Sequence, residues 1–189
     1  MSTTDFETVL GEVDQVLRSV DAGALRTLEE RIATAPRLYV AGAGRTGLMM
    51  RAFAMRLMHL GLDVQAVGDV TTPALRGGDL LVIGPGSGET GTLRALAQRA
   101  KALGGTLAVL TIVPRPTVGR LADVLVRLDA PSPKVAPPPG GSSARACVQP
   151  MGALFEQALL LLLDVVVMWL AAARGATSEA MFARHANLE

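Results

Sequence analysis

RLYVAGAGRTG, residues 37–47, is the segment on which the fold turns. Residues 37–41 form a short apolar run, and the loop from Gly42 to Gly47 then breaks it and opens a helical pattern that continues through AFAMRLMHLG, residues 52–61. A buried strand, a tight glycine turn and a helix in that order begin a βαβ unit. The arrangement recurs in LLVIGPGSGET, residues 80–90. After it Leu93, Leu96, Ala97, Ala100 and Leu103 fall at i, i+3, i+4 and i+7 spacing, with Arg94, Gln98, Arg99 and Lys101 on the opposite side, as an amphipathic crossover helix requires. Further apolar runs at 64–67, 107–113 and 124–128, bounded by Gly, Pro or Asp, complete five strands. Strands and helices alternating in this way predict a parallel sheet covered on both faces, a three-layer α/β/α sandwich. Ligands then belong at the carboxyl ends of the strands.

Outward from that core, residues 5–20 and 23–35 read as two helices before the sheet. A long helix over 152–174 and a short one over 178–186, with Ser178 as its N-cap, follow it. The length suits one domain: N-terminal helices at 1–35, an αβ core at 36–130, a loop at 131–146 and C-terminal helices at 151–189. That loop, PSPKVAPPPGGSSARA, is too rich in Pro, Gly and Ser for a regular element and reads as an exposed connector. The apolar run 158–173 is about four residues short of the roughly 20 that span a bilayer, and it carries Asp164, so a buried core helix is expected and no membrane.

Composition narrows the function. Only 3% of residues are aromatic, too few for base stacking, and a net charge of +1 with scattered basic residues leaves no footprint for a polyanion. No nucleic-acid partner is expected. The single cysteine, Cys147, forms no internal disulfide, and no secretory pattern opens the chain, which makes the cytoplasm the default location. His59 and His185 lack ligand neighbours at metal-site spacing, so neither a metal nor another cofactor is expected.

The two glycine loops carry the chemistry. Gly44, Arg45 and Thr46 lie in the first, and Gly86, Ser87, Gly88, Glu89 and Thr90 in the second. Backbone N–H groups at a helix start attract anions, and two such loops on one sheet edge converge on a single phosphate, with Arg45 neutralising its charge. The first loop overlaps the G-x-G-x-x-G dinucleotide fingerprint. No acidic residue closes the second strand at the ribose-reading position, however, Asp69 lying just beyond it, which favours a phosphate ester over a nucleotide.

GAGRTG, AFAMRLMHLG, GSGET, QPMGALFEQ (149–157) and RHANLE (184–189), in this order, resemble the 6-phospho-3-hexuloisomerases, a family with the SIS (sugar isomerase) fold. The resemblance runs from the first strand to the last residue. It implies an SIS-type three-layer fold and a homotetramer. It also implies interconversion of a 3-hexulose 6-phosphate with fructose 6-phosphate, in formaldehyde fixation or ribulose-phosphate supply. Two positions depart from the family, which usually has serine where Thr46 and Pro85 stand. Thr46 keeps the hydroxyl. Pro85 removes a hydroxyl and an N–H from the second loop, so weaker phosphate binding is expected, and with it a lower KM in Pro85→Ser.

Moving a carbonyl between C3 and C2 requires a proton taken from C2, an enediol, and a proton returned at C3, and one carboxylate over both carbons can make both transfers. The motif match assigns this role to Glu156; without it, a glutamate so early in a helix would only complement the helix dipole. A Schiff base would need a lysine, and Lys101 and Lys134 lie on a polar helix side and in the Pro-rich loop. His185 is the candidate to polarise the carbonyl or shuttle the hydroxyl proton, in its own or a neighbouring subunit's site. His59 reads as structural, Arg56 as a pairing or interface residue, and Asp164 as the partner of Gln157 on one helix face. Two rival readings share these features: a sugar-phosphate-binding SIS protein without turnover, and an isomerase of another phosphosugar.

Overall fold

Five parallel strands, β1 (Leu38–Gly42), β2 (Val64–Ala66), β3 (Leu80–Gly84), β4 (Thr106–Thr111) and β5 (Val124–Arg127), form one sheet in the order β2-β1-β3-β4-β5. The computed structural model describes residues 3–86, 90–113, 116–133, 135 and 147–188. Alternate side chains along each strand enter opposite cores. Leu38, Val40, Leu80, Val82, Ala108, Leu110, Val124 and Val126 face one side, and Tyr39, Ala41, Leu81, Ile83, Leu107 and Val109 face the other. Burial on both faces is why these strands read as unbroken apolar runs rather than as alternating ones.

The first face is covered by α1 (Thr3–Arg18), α2 (Ala22–Thr34), α3 (Gly44–His59) and α5 (Ala153–Ala173). On the second lie α4 (Gly91–Ala102) and a single 3-10 turn at Val118–Leu121. The Tyr39 hydroxyl donates to the Ala74 carbonyl at 3.0 Å and ties the long β2–β3 connection to the sheet. The result is the predicted three-layer α/β/α sandwich, with the thicker helical layer on the α5 side.

α5 keeps the extent expected for it, to within one residue at each end. At 21 residues it is long and apolar enough to cross a membrane by length and composition, so the expected shortfall against spanning length does not hold. Its buried side chains, among them Leu159, Leu163 and Val166, pack against α1, α2 and α3, where truncating a residue such as Leu159 to alanine costs about 2–5 kcal/mol. The last helix, α6 (Ser178–Phe182), is shorter than expected, and Thr177 rather than Ser178 caps it, accepting from the Ala180 N–H at 3.1 Å.

Topology places the site. From β1 the chain crosses through α3 to β2 on one side, and then returns to β3 on the other side of β1. The strand order therefore reverses between β1 and β3, and the loops leaving them diverge to open a crevice at their carboxyl ends, where Gly42 and Gly84 stand in register.

Candidate active site

At the end of β1 two backbones touch. A Cβ on Gly42 would lie 2.9 Å from the Gly47 Cα, and one on Gly47 would lie 2.8 Å from the Gly42 carbonyl oxygen, so side chains at either position would push the first turn of α3 off the strand. Gly44 takes φ +57°, the left-handed conformation that lets the chain turn from β1 into α3. The N-cap positions of α3, α4 and α5 are Ala43, Thr90 and Gly152, and none makes a side-chain capping hydrogen bond. All three line one cavity of about 580 Å³ over the β1–β3 crevice. Three helix starts, none capped by the side chain of its own N-cap residue and each carrying a partial positive charge, thus converge on one space suited to an anion.

Arg45 and Glu156 are the charged residues among the described lining of this cavity. Arg45 Nη1 lies 3.2 Å from Glu156 Oε2; the arginine side chain is half exposed, whereas the glutamate side chain is 15% exposed. Thr46 is buried beside them, its Cγ2 packed close to Gly84, and the buried Phe155 ring lies so near Gly86 that a Cβ there would be 3.1 Å from Cε1. Ile112, Ser132, Pro133 and residues 150–153 complete the wall.

The SIS domain family matches residues 31–160. A 3-hexulose-6-phosphate isomerase from Bacillus subtilis is 41% identical over 100% of both chains, and one from Mycobacterium gastri is 38% identical over 99% of this chain and 91% of its own. The chain belongs to the SIS-domain 3-hexulose-6-phosphate isomerase family. A solved structure agrees: a hypothetical protein from Methanococcus jannaschii, for which the molecular function of 3-hexulose-6-phosphate isomerase was inferred, has a TM-score of 0.83 at 28% identity. That similarity covers 98% of this chain and 99% of the other.

Of the residues singled out in this SIS domain, Gly44, Arg45, Thr46, Gly86, Thr90 and Glu156 all line the cavity. Ser87, Gly88 and Glu89 lie outside the described residues, as does Lys134. His185 lies elsewhere. It is exposed after α6, its Nδ1 is 3.0 Å from the Ala186 carbonyl, and its ring stacks at 5.5 Å on His59, the last residue of α3. α3 begins at the cavity, and at about 1.5 Å of rise per residue its far end is about 20 Å away. His59 itself is buried, as a structural histidine would be. Burial, the Arg56 charge and that of His185 push its pKa below the ordinary value.

Three expectations change. Pro85 is buried and absent from the cavity lining, whereas Gly84 and Gly86 beside it are on the wall, so serine at 85 would not present its hydroxyl to a ligand there. Gln157 donates to Gln149 Oε1 at 2.7 Å instead of pairing with Asp164. Of the stretch 131–146, expected as a connector, residues 134 and 136–146 lie outside the described residues, and Ser132 and Pro133 line the cavity. Within QPMGALFEQ, Pro150, Met151 and Gly152 also line the cavity, a role that their residue types do not signal. The missed signal is conformational: Met151 sits at φ +60°, which nothing in the identity of a methionine announces. Lys101 is engaged with Asp123 at 2.7 Å, away from the cavity. Among the described residues no group of three or more His, Cys, Asp or Glu is placed to hold a metal ion.

Proposed function

We infer that the protein is an isomerase that interconverts a 3-hexulose 6-phosphate and fructose 6-phosphate through a C2–C3 enediol. The observation that carries this reading is the Arg45–Glu156 pair inside a cavity onto which three helix starts converge. Phosphate takes the helix-start N–H groups and Arg45. Because it competes with Glu156 for the guanidinium, its arrival frees the carboxylate to work over C2 and C3. Glu156 then removes the C2 proton while the C3 oxygen gains one, giving the enediol with its oxygens held in the polar part of the cavity. The same carboxyl group returns the proton at C3 as the C2 hydroxyl gives up its own, so that one proton moves between the carbons and one between the oxygens. The apolar wall of Phe155, Ile112 and Ala153 excludes water from the intermediate.

Assembly belongs to the same proposal. His185 is too far from its own chain's cavity to act there, so it would polarise the carbonyl only in the cavity of a neighbouring copy. Exposed apolar residues on the helical layer support association: Leu48 and Met55 on α3, and Leu161 and Met168 on α5. A homotetramer built on that layer, as a single cytoplasmic SIS domain per chain, fits these features.

Glu156→Gln tests the base directly. It keeps the side chain's size and removes the proton acceptor, so kcat should fall by about 100-fold or more, with affinity for fructose 6-phosphate changing by less than about tenfold. Turnover at the wild-type rate in this variant contradicts the assignment.

A further inference from the structure

The stretch of chain that leads into the cavity wall is held by a residue more than a hundred positions earlier. Glu12 lies on α1, which contributes no residue to the described lining. Its Oε1 accepts from the Val148 N–H at 2.8 Å, and its Oε2 accepts from Gln149 Nε2 at 3.0 Å and from the Cys147 thiol at 3.4 Å. Gln149 is buried, and its Oε1 accepts from Gln157 Nε2 at 2.7 Å, on α5 next to Glu156. One carboxylate thus grips three consecutive residues, and an amide relay continues the grip from α1 to α5.

Immediately after the gripped residues come Pro150, Met151 and Gly152, all on the cavity wall. Met151 has φ +60°, a left-handed conformation that Cβ sterics disfavour and that persists only where its surroundings over-determine it. Gly152 lies against the proposed base: a Cβ built there would be 3.6 Å from Glu156 Oε1. The position of this turn therefore sets the room in which the Glu156 carboxylate stands. Burial alone would raise the Glu12 pKa, but the hydrogen bonds from Val148, Gln149 and Cys147 outweigh it and hold the carboxyl below its ordinary range. The acceptor is therefore ionised at neutral pH.

We propose that Glu12 is a positioning residue for the isomerisation, holding residues 147–149 so that the Met151 turn keeps Gly152 and the Glu156 carboxylate in place against the substrate. The proposal rests on the reading of Glu156 as the base. What it requires of Glu12 is hydrogen-bond geometry, not charge. In Glu12→Gln the new amide accepts from Val148 and donates to Gln149, and the Gln149 and Gln157 amides turn over so that the relay is remade in the opposite sense. In Glu12→Ala nothing remakes it.

The test compares steady-state kinetics and thermal midpoints of wild type, Glu12→Ala, Glu12→Gln and Glu156→Gln on fructose 6-phosphate. Glu12→Ala is expected to lose about tenfold or more in kcat with KM within about threefold, while remaining folded at the assay temperature, and Glu12→Gln to keep at least about a third of wild-type kcat. Unchanged kcat in folded Glu12→Ala overturns the proposal, and so does a loss in Glu12→Gln as large as that in Glu12→Ala. If Glu12→Ala does not fold, Gln157→Met removes only the far end of the relay. A fall of about threefold in kcat at constant KM supports the proposal there, and no fall overturns it. Full turnover in Glu156→Gln alongside a loss in Glu12→Ala would remove Glu156 as the base yet leave Glu12 positioning the wall. Loss in Glu156→Gln with none in Glu12→Ala would remove the positioning role alone.

Discussion

Gly86 and Pro85 are neighbours with opposite relations to the cavity. A Cβ at position 86 would come within 3.1 and 3.2 Å of two Phe155 ring atoms, and that ring is buried. Gly86→Ala therefore forces either the ring or the loop to move, at a cost of about 1–3 kcal/mol where a packed core must yield. Because Gly86 lines the cavity, part of that shift should appear as a raised KM for fructose 6-phosphate. Pro85→Ser should leave KM within about twofold, because residue 85 is buried and absent from the described lining of the cavity. Steady-state kinetics of the two variants on one substrate checks both, and a lower KM in Pro85→Ser would put position 85 back in contact with phosphate. The glycines of this loop were legible from sequence as a tight turn. The other role of Gly86, leaving space for an aromatic ring, was not, because Phe155 lies far along the chain from it.

At the scale of elements, α3 joins two functions: its first turn lines the cavity and its last residue anchors the C-terminal segment. Arg184 Nη1 donates to the His59 carbonyl at 3.3 Å and to the Ala180 carbonyl at 3.0 Å, while His185 stacks on the His59 ring. His59 has its pKa lowered by burial first, and then by Arg56 and His185. A lowered folded pKa means that the unfolded chain binds the proton more readily. The neutral imidazole's contribution to stability is then complete above the unfolded value of about 6.5 and is lost as the pH falls through the folded value. The thermal midpoint should therefore decline as pH is lowered from about 7 to about 5, and His59→Leu should flatten that part of the profile. An identical decline in both proteins would place the acid sensitivity elsewhere. The amphipathic α4 was readable because its one-sided burial imposes a helical period on the sequence, and the strands because burial on both faces makes them short unbroken apolar runs between turn residues. α5 is apolar almost all round and has no such period; its length still marked it as a helix, and its extent, 152–174 from sequence and Ala153–Ala173 in the structure, agrees to a residue at each end.

For the whole molecule, the exposed Leu48, Met55, Leu161 and Met168 on one helical layer, together with a His185 held away from its own cavity, predict association. Sedimentation should show a species larger than the 19.6 kDa chain, and a tetramer would have about four times that mass. A purely monomeric protein with full activity would contradict both the assembly and the role of His185 across it. The parallel sheet and a site at the carboxyl ends of its strands follow from alternation that can be read directly from sequence, whereas the order β2-β1-β3-β4-β5, which opens the crevice between β1 and β3, does not. Nor does the grip of Glu12 on residues 147–149, since it joins parts of the chain that no local pattern connects. The central claim is proton transfer by Glu156 through an enediol, and solvent exchange tests it most directly. Purified protein with fructose 6-phosphate in deuterium oxide should replace the C3 hydrogen by deuterium and form the 3-hexulose labelled at C2, while Glu156→Gln should do neither. Binding of the sugar phosphate by the wild-type protein with no deuterium entering C3 would contradict the account.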